Sequence, residues 1–220
     1  MTDIIQELSD LRMSYEQGTL LETDVNANPH LQFIDWFNQA LQADLHEPYA
    51  MSLATADAQG RPHVRTVLLR GATEQGYDFY TNYDSQKGLD MAENPYVELL
   101  FYWAKLERQA RIFGRVSKIP EAESTAYYHK RPLGSQIAAH ASTPQSGVIA
   151  TREAFEQKVH DLEQQFAEAK QGEIDKPSFW GGYRVVAEHY EFWQGRPSRL
   201  HDRIRYRLQD GQWTIERLMP

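Results

Sequence analysis

From Tyr49 onward the chain is written in short runs of alternating apolar and polar residues joined by tight turns, and this texture constrains the fold most. The runs YAMSLATA (49–56) and PHVRTVLLR (62–70) flank the turn DAQGR and read as a hairpin. GYDFYTNY (76–83), YVELLFYW (96–103) and RQARIFGRVSKI (108–119) supply three more strands. GGYRVVAEHYEFW (181–193) and the hairpin IRYRLQ-DG-QWTIERL (204–218) complete the set, with Asp210-Gly211 favouring a type I′ turn. The early strands do not alternate with helices, so parallel winding is not expected. The reading is a mainly β chain with flanking helices, of the α+β class, its antiparallel sheet closing into a barrel with helices packed outside.

The helical expectations are fewer. Ile4, Leu8, Leu11 and Tyr15 stand at helical spacing that ends near Gly18, and LLETDVNAN then reads as an arm. Asn28-Pro29 opens a helix with Phe33, Phe37, Ala40, Leu41 and Leu45 on its inner face, closed by Pro48. SQKGLDMAEN (85–94) is a short helix capped by Ser85 and followed by Pro95. PEAESTAYYHKR and SQIAAHAS are two pieces split by Pro132 and Gly134, and a longer amphipathic helix runs from about Thr151 to Lys170. Residues 1–220 read as one domain, with an N-terminal helical arm (about 1–27) and a C-terminal strand hairpin (about 183–220).

Several classes of function are disfavoured. A net charge of −8 argues against a nucleic-acid partner met through a broad basic face. With no cysteine there are no disulfides or thiolate metal sites, as suits a reducing compartment. The acidic N-terminus is unlike a signal peptide and no apolar run approaches a membrane span, so a cytoplasmic location without a membrane partner is expected. The eight histidines are scattered without HExxH spacing, so no metal is expected. No GxSxG elbow anchors serine chemistry, and no GxGxxG or GxxxxGK turn is present, so a phosphate ligand must be held by side chains.

Four segments carry groups suited to that task. Ser85-Gln86-Lys87 places a lysine in the first turn of a helix, where the macrodipole disfavours it unless an anion sits beside it; a solvated surface lysine is the alternative. RTVLLR brackets an apolar strand with Arg65 and Arg70, which face opposite sides of an ideal strand and share a pocket only if it bends. Edge-strand arginines that blunt aggregation would look the same. Tyr127, Arg131 and Ser135 stand four apart, on one side of a helix if it continues past Pro132; a basic helix end is the plainer reading. FWQGRPSRLHDR (192–203) gathers Trp193, Arg196, Arg199, His201 and Arg203 in a loop between strands.

In their order and spacing RTVLLR, FYTN, SQK, LERQ, YYHKRPLGSQI, SFWGG, EFWQG and RLHDR resemble the pyridoxamine 5′-phosphate oxidase family, from LRMSY at residue 11 to the terminal ERLMP. The resemblance implies a split β-barrel homodimer with FMN in clefts at the subunit interface. It implies that Arg65, Thr66, Val67, Leu68, Leu69, Arg70, Tyr80, Thr81, Gln86, Lys87, Gln109, Gln145, Ser146, Trp193 and Arg203 serve the flavin. Arg12, Tyr15, Arg70, Tyr127, Arg131, Ser135, Arg199 and His201 would serve the substrate, with Arg199 and His201 near the reacting carbon. The implied reaction removes a hydride from C4′ of pyridoxine or pyridoxamine 5′-phosphate onto the flavin. Dioxygen then reoxidises the flavin to give hydrogen peroxide, and the amine substrate also yields ammonia. Two departures stand out: the family usually has lysine in place of Arg70 and often arginine in place of Gln86. Another flavin-linked reductase on the same barrel, or a non-catalytic flavin- or pyridoxal-phosphate-binding module, is the alternative.

Overall fold

The computed structural model describes residues 13–220. Their helices are α1 (Pro29–Gln42), α2 (Gln86–Glu93), α3 (Glu121–Lys130), α4 (Leu133–Ala141) and α5 (Arg152–Gln165). The strands are β1 (Ala50–Ala56), β2 (Pro62–Leu68), β3 (Gly71–Thr73), β4 (Gly76–Asn82), β5 (Tyr96–Trp103), β6 (Arg108–Lys118), β7 (Trp180–Gln194), β8 (Asp202–Gln209) and β9 (Gln212–Arg217). Their hydrogen-bonded order is β2-β1-β5-β6-β7-β4-β3, and β7 also pairs with β8, which pairs with β9. The hairpins β1–β2, β3–β4 and β8–β9 are antiparallel, as are the pairings of β7 with β4 and with β8.

The chain forms two compact units. One comprises Tyr49–Leu99 and Ile112–Glu188, with a core that includes Met51, Leu53, Tyr77, Phe79, Leu99, Ile112 and Val185. In its hairpin β1–β2 the register runs from Ala50 opposite Leu68 to Ala56 opposite Pro62. The strand alternation is that of a half-buried ribbon, with Met51, Leu53 and Thr55 buried on one face of β1. After Leu68 the chain changes partner. The Leu69 amide still reaches Tyr49 O at 2.9 Å, but the Arg70 amide donates to Asp78 O at 2.8 Å, and β3 continues along β4.

The other unit comprises the described residues up to Pro48, Leu100–Arg111 and His189–Pro220. Its core packs α1 on strand residues, with Phe33 5.0 Å from Phe101 and Trp36 edge-on to Phe192 at 5.2 Å. The Asn28 carboxamide accepts the His30 N–H at 2.9 Å, the expected cap. Leu41 is exposed, and Leu45 lies beyond the helix end; Trp36 is buried in their place. Eight residues on from Phe33, Leu41 has rotated about 80° away from it. Asp210 and Gly211 both take positive φ, as the β8–β9 turn requires.

The helical arm is corrected where it can be seen. Ile4, Leu8, Leu11 and Arg12 lie outside the described residues, and residues 13–27 contain no helix. Their amides are committed to side chains instead: Glu16 and Gln17 donate to the Glu107 carboxylate at 2.7 and 2.9 Å, and Leu20 to Asp202 at 3.1 Å. The long helix stops at Gln165, short of Lys170, and Thr151 caps it by accepting the Ala154 N–H. Among the described residues no helix is long and apolar enough to cross a membrane.

Candidate active site

A cavity of about 400 Å³ opens in the unit that holds β1–β4. Among the described residues four cationic side chains line it, Arg65, Arg70, Lys87 and Arg131, and no carboxylate does. Thr66, Val67, Leu68, Tyr80, Thr81 and Gln145 line it as well, so most of the expected residues of this unit are brought together. The partner change after Leu68 explains how Arg65 and Arg70 reach one cavity: β2 ends before Arg70, and strand alternation no longer fixes its side.

Arg65 is held from behind. Its Nη1 donates to Leu53 O at 3.1 Å and to the Thr55 hydroxyl at 2.8 Å, and its Nη2 lies 3.8 Å from the Asp90 carboxylate. Lys87 projects from the first turn of α2, where its Nζ meets Ser85 Oγ at 3.1 Å and Gln145 Oε1 at 3.3 Å. Ser85 caps the helix as expected, its hydroxyl accepting the Gly88 N–H. Burial, and then the charge of Arg65, hold the Lys87 ammonium below the ordinary lysine range. Burial likewise lowers Arg65 and Arg131.

The aromatic wall comes from three elements. Tyr80 of β4 stacks on Tyr127 of α3 with centroids 3.8 Å apart, and Trp180 at the start of β7 lies nearly parallel to both. The Arg131 guanidinium sits 4.7 Å over the Trp180 ring, and its buried Nη1 has no hydrogen-bond partner among the described residues. Burial pushes the Tyr80 hydroxyl up to about 12, so it stays a neutral donor. Gly182 lets this wall close, because a Cβ there would lie 2.7 Å from Tyr80 Cε1 and 2.6 Å from Ile119 Cδ1.

Other expected residues stand elsewhere. Leu69 is buried in the core. Gln86 turns its carboxamide to Asp90 Oδ1 at 2.8 Å, while its amide reaches Ser146 Oγ at 3.4 Å. Ser146 and Gln145 border a second cavity of about 270 Å³ beside α5. Ser135 does not line the main cavity; Pro132 ends the α3 period, and α4 starts afresh at Leu133. Arg12 lies outside the described residues. Gln109 is half-buried on β6.

The remaining residues gather in the other unit. Tyr15, Trp193 and His201 form a ring cluster, with Trp193 and His201 centroids 4.6 Å apart and Tyr15 within 5.7 Å of each. His201 Nδ1 accepts the Arg196 N–H at 3.1 Å, so that nitrogen carries no proton. Burial, then the Arg199 charge, lower the tendency of this imidazole to protonate. Arg199 is exposed and takes a positive φ. Arg203 is engaged by the buried Glu191, Nε to Oε1 at 2.9 Å, and by Met219 O.

Two lining residues were not anticipated. Asn82 closes β4 and donates to Ser142 O at 3.1 Å, and Trp180 pairs with it across the β4–β7 ladder. Both lie in quoted motifs, FYTN and SFWGG, but only the pairing of strands a hundred residues apart gives them a place in the wall.

An antiparallel sheet carrying a cavity with a stacked aromatic wall and four cationic lining side chains defines a class of protein: one whose site suits anionic, ring-bearing small molecules. Comparison with known proteins narrows the class. The chain belongs to the pyridoxamine 5′-phosphate oxidase family. The model described as pyridoxamine 5′-phosphate oxidase matches residues 37–166, and that described as the pyridoxine 5′-phosphate oxidase C-terminal dimerisation region matches residues 180–220. A pyridoxine/pyridoxamine 5′-phosphate oxidase of Acinetobacter baumannii is 69% identical over 220 residues, covering 100% of both chains. One from Deinococcus deserti is 52% identical, covering 97% of this chain and 99% of its own. Among solved structures, PhzG from Burkholderia lata 383 in complex with tetrahydrophenazine-1-carboxylic acid superimposes with a TM-score of 0.85 at 27% identity, covering 94% of this chain and 100% of that one. The split-barrel fold is therefore that of the family.

Proposed function

We propose that the chain is an oxidase that uses FMN to convert pyridoxine 5′-phosphate or pyridoxamine 5′-phosphate to pyridoxal 5′-phosphate, with dioxygen as electron acceptor. The observation that carries this reading is Arg131, half-buried in the cavity wall: among the described residues its buried Nη1 has no acceptor and no carboxylate lines the cavity. A buried charged donor without an acceptor is costly, and a phosphate oxygen would satisfy it. The named relatives support the substrate pair.

The donor set fits two phosphorylated groups. Arg65 and Lys87 would hold the FMN phosphate, with Thr66, Val67, Leu68, Tyr80, Thr81 and Gln145 around the flavin. Arg70, Tyr127 and Arg131 would take the substrate phosphate. Bound FMN would supply the redox chemistry, accepting the hydride from C4′ and passing electrons to dioxygen to give hydrogen peroxide. Arg199 and His201 would orient the substrate and balance charge at C4′. His201, with Nδ1 already accepting a backbone N–H, can only donate from Nε2 while neutral, which favours an orienting role. Gln109, Ser146, Trp193 and Arg203 on the flavin, and Arg12, Tyr15 and Ser135 on the substrate, rest on the family resemblance alone. The C-terminal dimerisation region supports a homodimer. A cysteine-free sequence suits the cytoplasm.

The test is anaerobic. Protein loaded with FMN and mixed with pyridoxine 5′-phosphate or pyridoxamine 5′-phosphate should lose its flavin absorbance, and oxygen should restore it with release of peroxide. Persistence of the oxidised spectrum with both substrates would overturn the proposal.

A further inference from the structure

Asp90 is an ionisable group that the reading above leaves unused. Its side chain is 1% exposed and points from the last turns of α2 toward β1 and β2. Every neighbour it meets there is a donor. Oδ2 accepts the Thr55 hydroxyl at 2.6 Å and faces His63 Nδ1 at 3.0 Å, with Arg65 Nη2 at 3.8 Å. Oδ1 accepts the Gln86 carboxamide at 2.8 Å, one helical turn back. Burial opposes the charge, but the bonds from Thr55, Gln86 and His63 prevail and hold the carboxyl below the usual range.

The carboxylate stands behind two like charges. Arg65 and Lys87 both line the cavity, and the charge of Arg65 makes that of Lys87 harder to carry; the field of Asp90 works in the opposite direction on both. The Thr55 hydroxyl links the two ends, giving its proton to Asp90 and its lone pair to Arg65 Nη1. Gln86 stands where the family often has arginine, and its side chain serves Asp90 rather than the cavity.

We propose that Asp90 is a positioning residue that acts as a resident counter-ion: it aims Arg65 and offsets the charges of Arg65 and Lys87 before a phosphate arrives, and opposes that phosphate once it is bound. The inference rests on reading this end of the cavity as the FMN phosphate site. A bound anion takes over the neutralisation that Asp90 provides, so removing the carboxylate charge should harm the free protein more than the loaded one. The sign is the reverse of what a purely structural residue would give.

Asp90→Asn isolates the charge. If Gln86 turns its carboxamide over, the new amide nitrogen faces an acceptor, and the remaining oxygen still serves Thr55 and His63. Flavin-stripped full-length protein should melt about 3 °C lower in the variant. FMN should bind about fivefold tighter than to wild type, while riboflavin, which lacks the phosphate, should change by less than about twofold. Weaker FMN binding, or an equal shift for riboflavin, would overturn the proposal. If the variant folds only in the presence of ligand, FMN and inorganic phosphate must each rescue it and riboflavin must not; rescue by none of them also overturns it. Should FMN and riboflavin bind wild type equally while inorganic phosphate raises the variant's Tm more than the wild type's, the flavin assignment fails and the counter-ion stands.

Discussion

Arg131 shows what a single residue must give up to bind a phosphate. Its half-buried guanidinium lies over Trp180, yet its buried Nη1 has no acceptor among the described residues. Arg131→Ala removes that unsatisfied donor, so the unliganded protein should lose little stability. A charge-assisted bond to phosphate is worth about 1.5–3 kcal/mol, so KM for pyridoxine 5′-phosphate should rise roughly 10- to 150-fold with FMN content unchanged. Steady-state kinetics with a flavin count on the same sample decides it; lost flavin with an ordinary KM would move Arg131 to the cofactor. At this scale the sequence was a good guide to residue type and a poor one to direction. The spacing of Arg65 and Arg70 puts them on opposite sides of an ideal strand, and the chain's change of partner after Leu68 removes the difficulty. Gln86 and Asp90 are four apart on one helix, but nothing local said that Thr55 and His63 would complete a network around the acid.

Elements were legible in proportion to how regular they are. β5 has the bounds that its alternation predicts, while β3, three residues long, has too little pattern to be seen. Helix ends marked by a cap were read well at Asn28 and Ser85 and poorly past Gln165, where no stop signal stands. The pairing of β4 with β7 is set by burial and twist across the whole fold, which is why Trp180 and Asn82 were missed. That pairing also explains a glycine, Gly182, that a strand would otherwise do without. Gly182→Ala would drive a methyl group into Tyr80 and Ile119, and overpacking of this kind costs about 1–3 kcal/mol. Gly134, in the first turn of α4, has open space around it, so Gly134→Ala should be neutral or stabilise by up to about 1 kcal/mol. Urea melts of the two variants should separate them in that order, and equal stabilities would mean that the aromatic wall yields freely.

For the whole molecule, the antiparallel class followed from turn lengths, whereas the order of strands, with β1 beside β5 and β4 beside β7, did not. Nor did the division of the chain into two compact units, because β5, β6 and β7 each contribute residues to both. Assembly was read only through the family likeness. If the dimerisation region acts as described for the family, light scattering should give a mass of two chains at micromolar concentration, and FMN should raise Tm in a concentration-dependent way. A single-chain mass with FMN saturating would set the homodimer aside. The parallel packing of Tyr80, Tyr127 and Trp180 carries one more consequence, an optical one. Rings held this close and this flat couple their ultraviolet transitions, so the protein has a built-in chromophore at the wall of its own cavity. Whatever enters must alter the near-ultraviolet circular dichroism of that stack and the emission of Trp180, and the arrival of a colourless substrate can be followed without attaching any label.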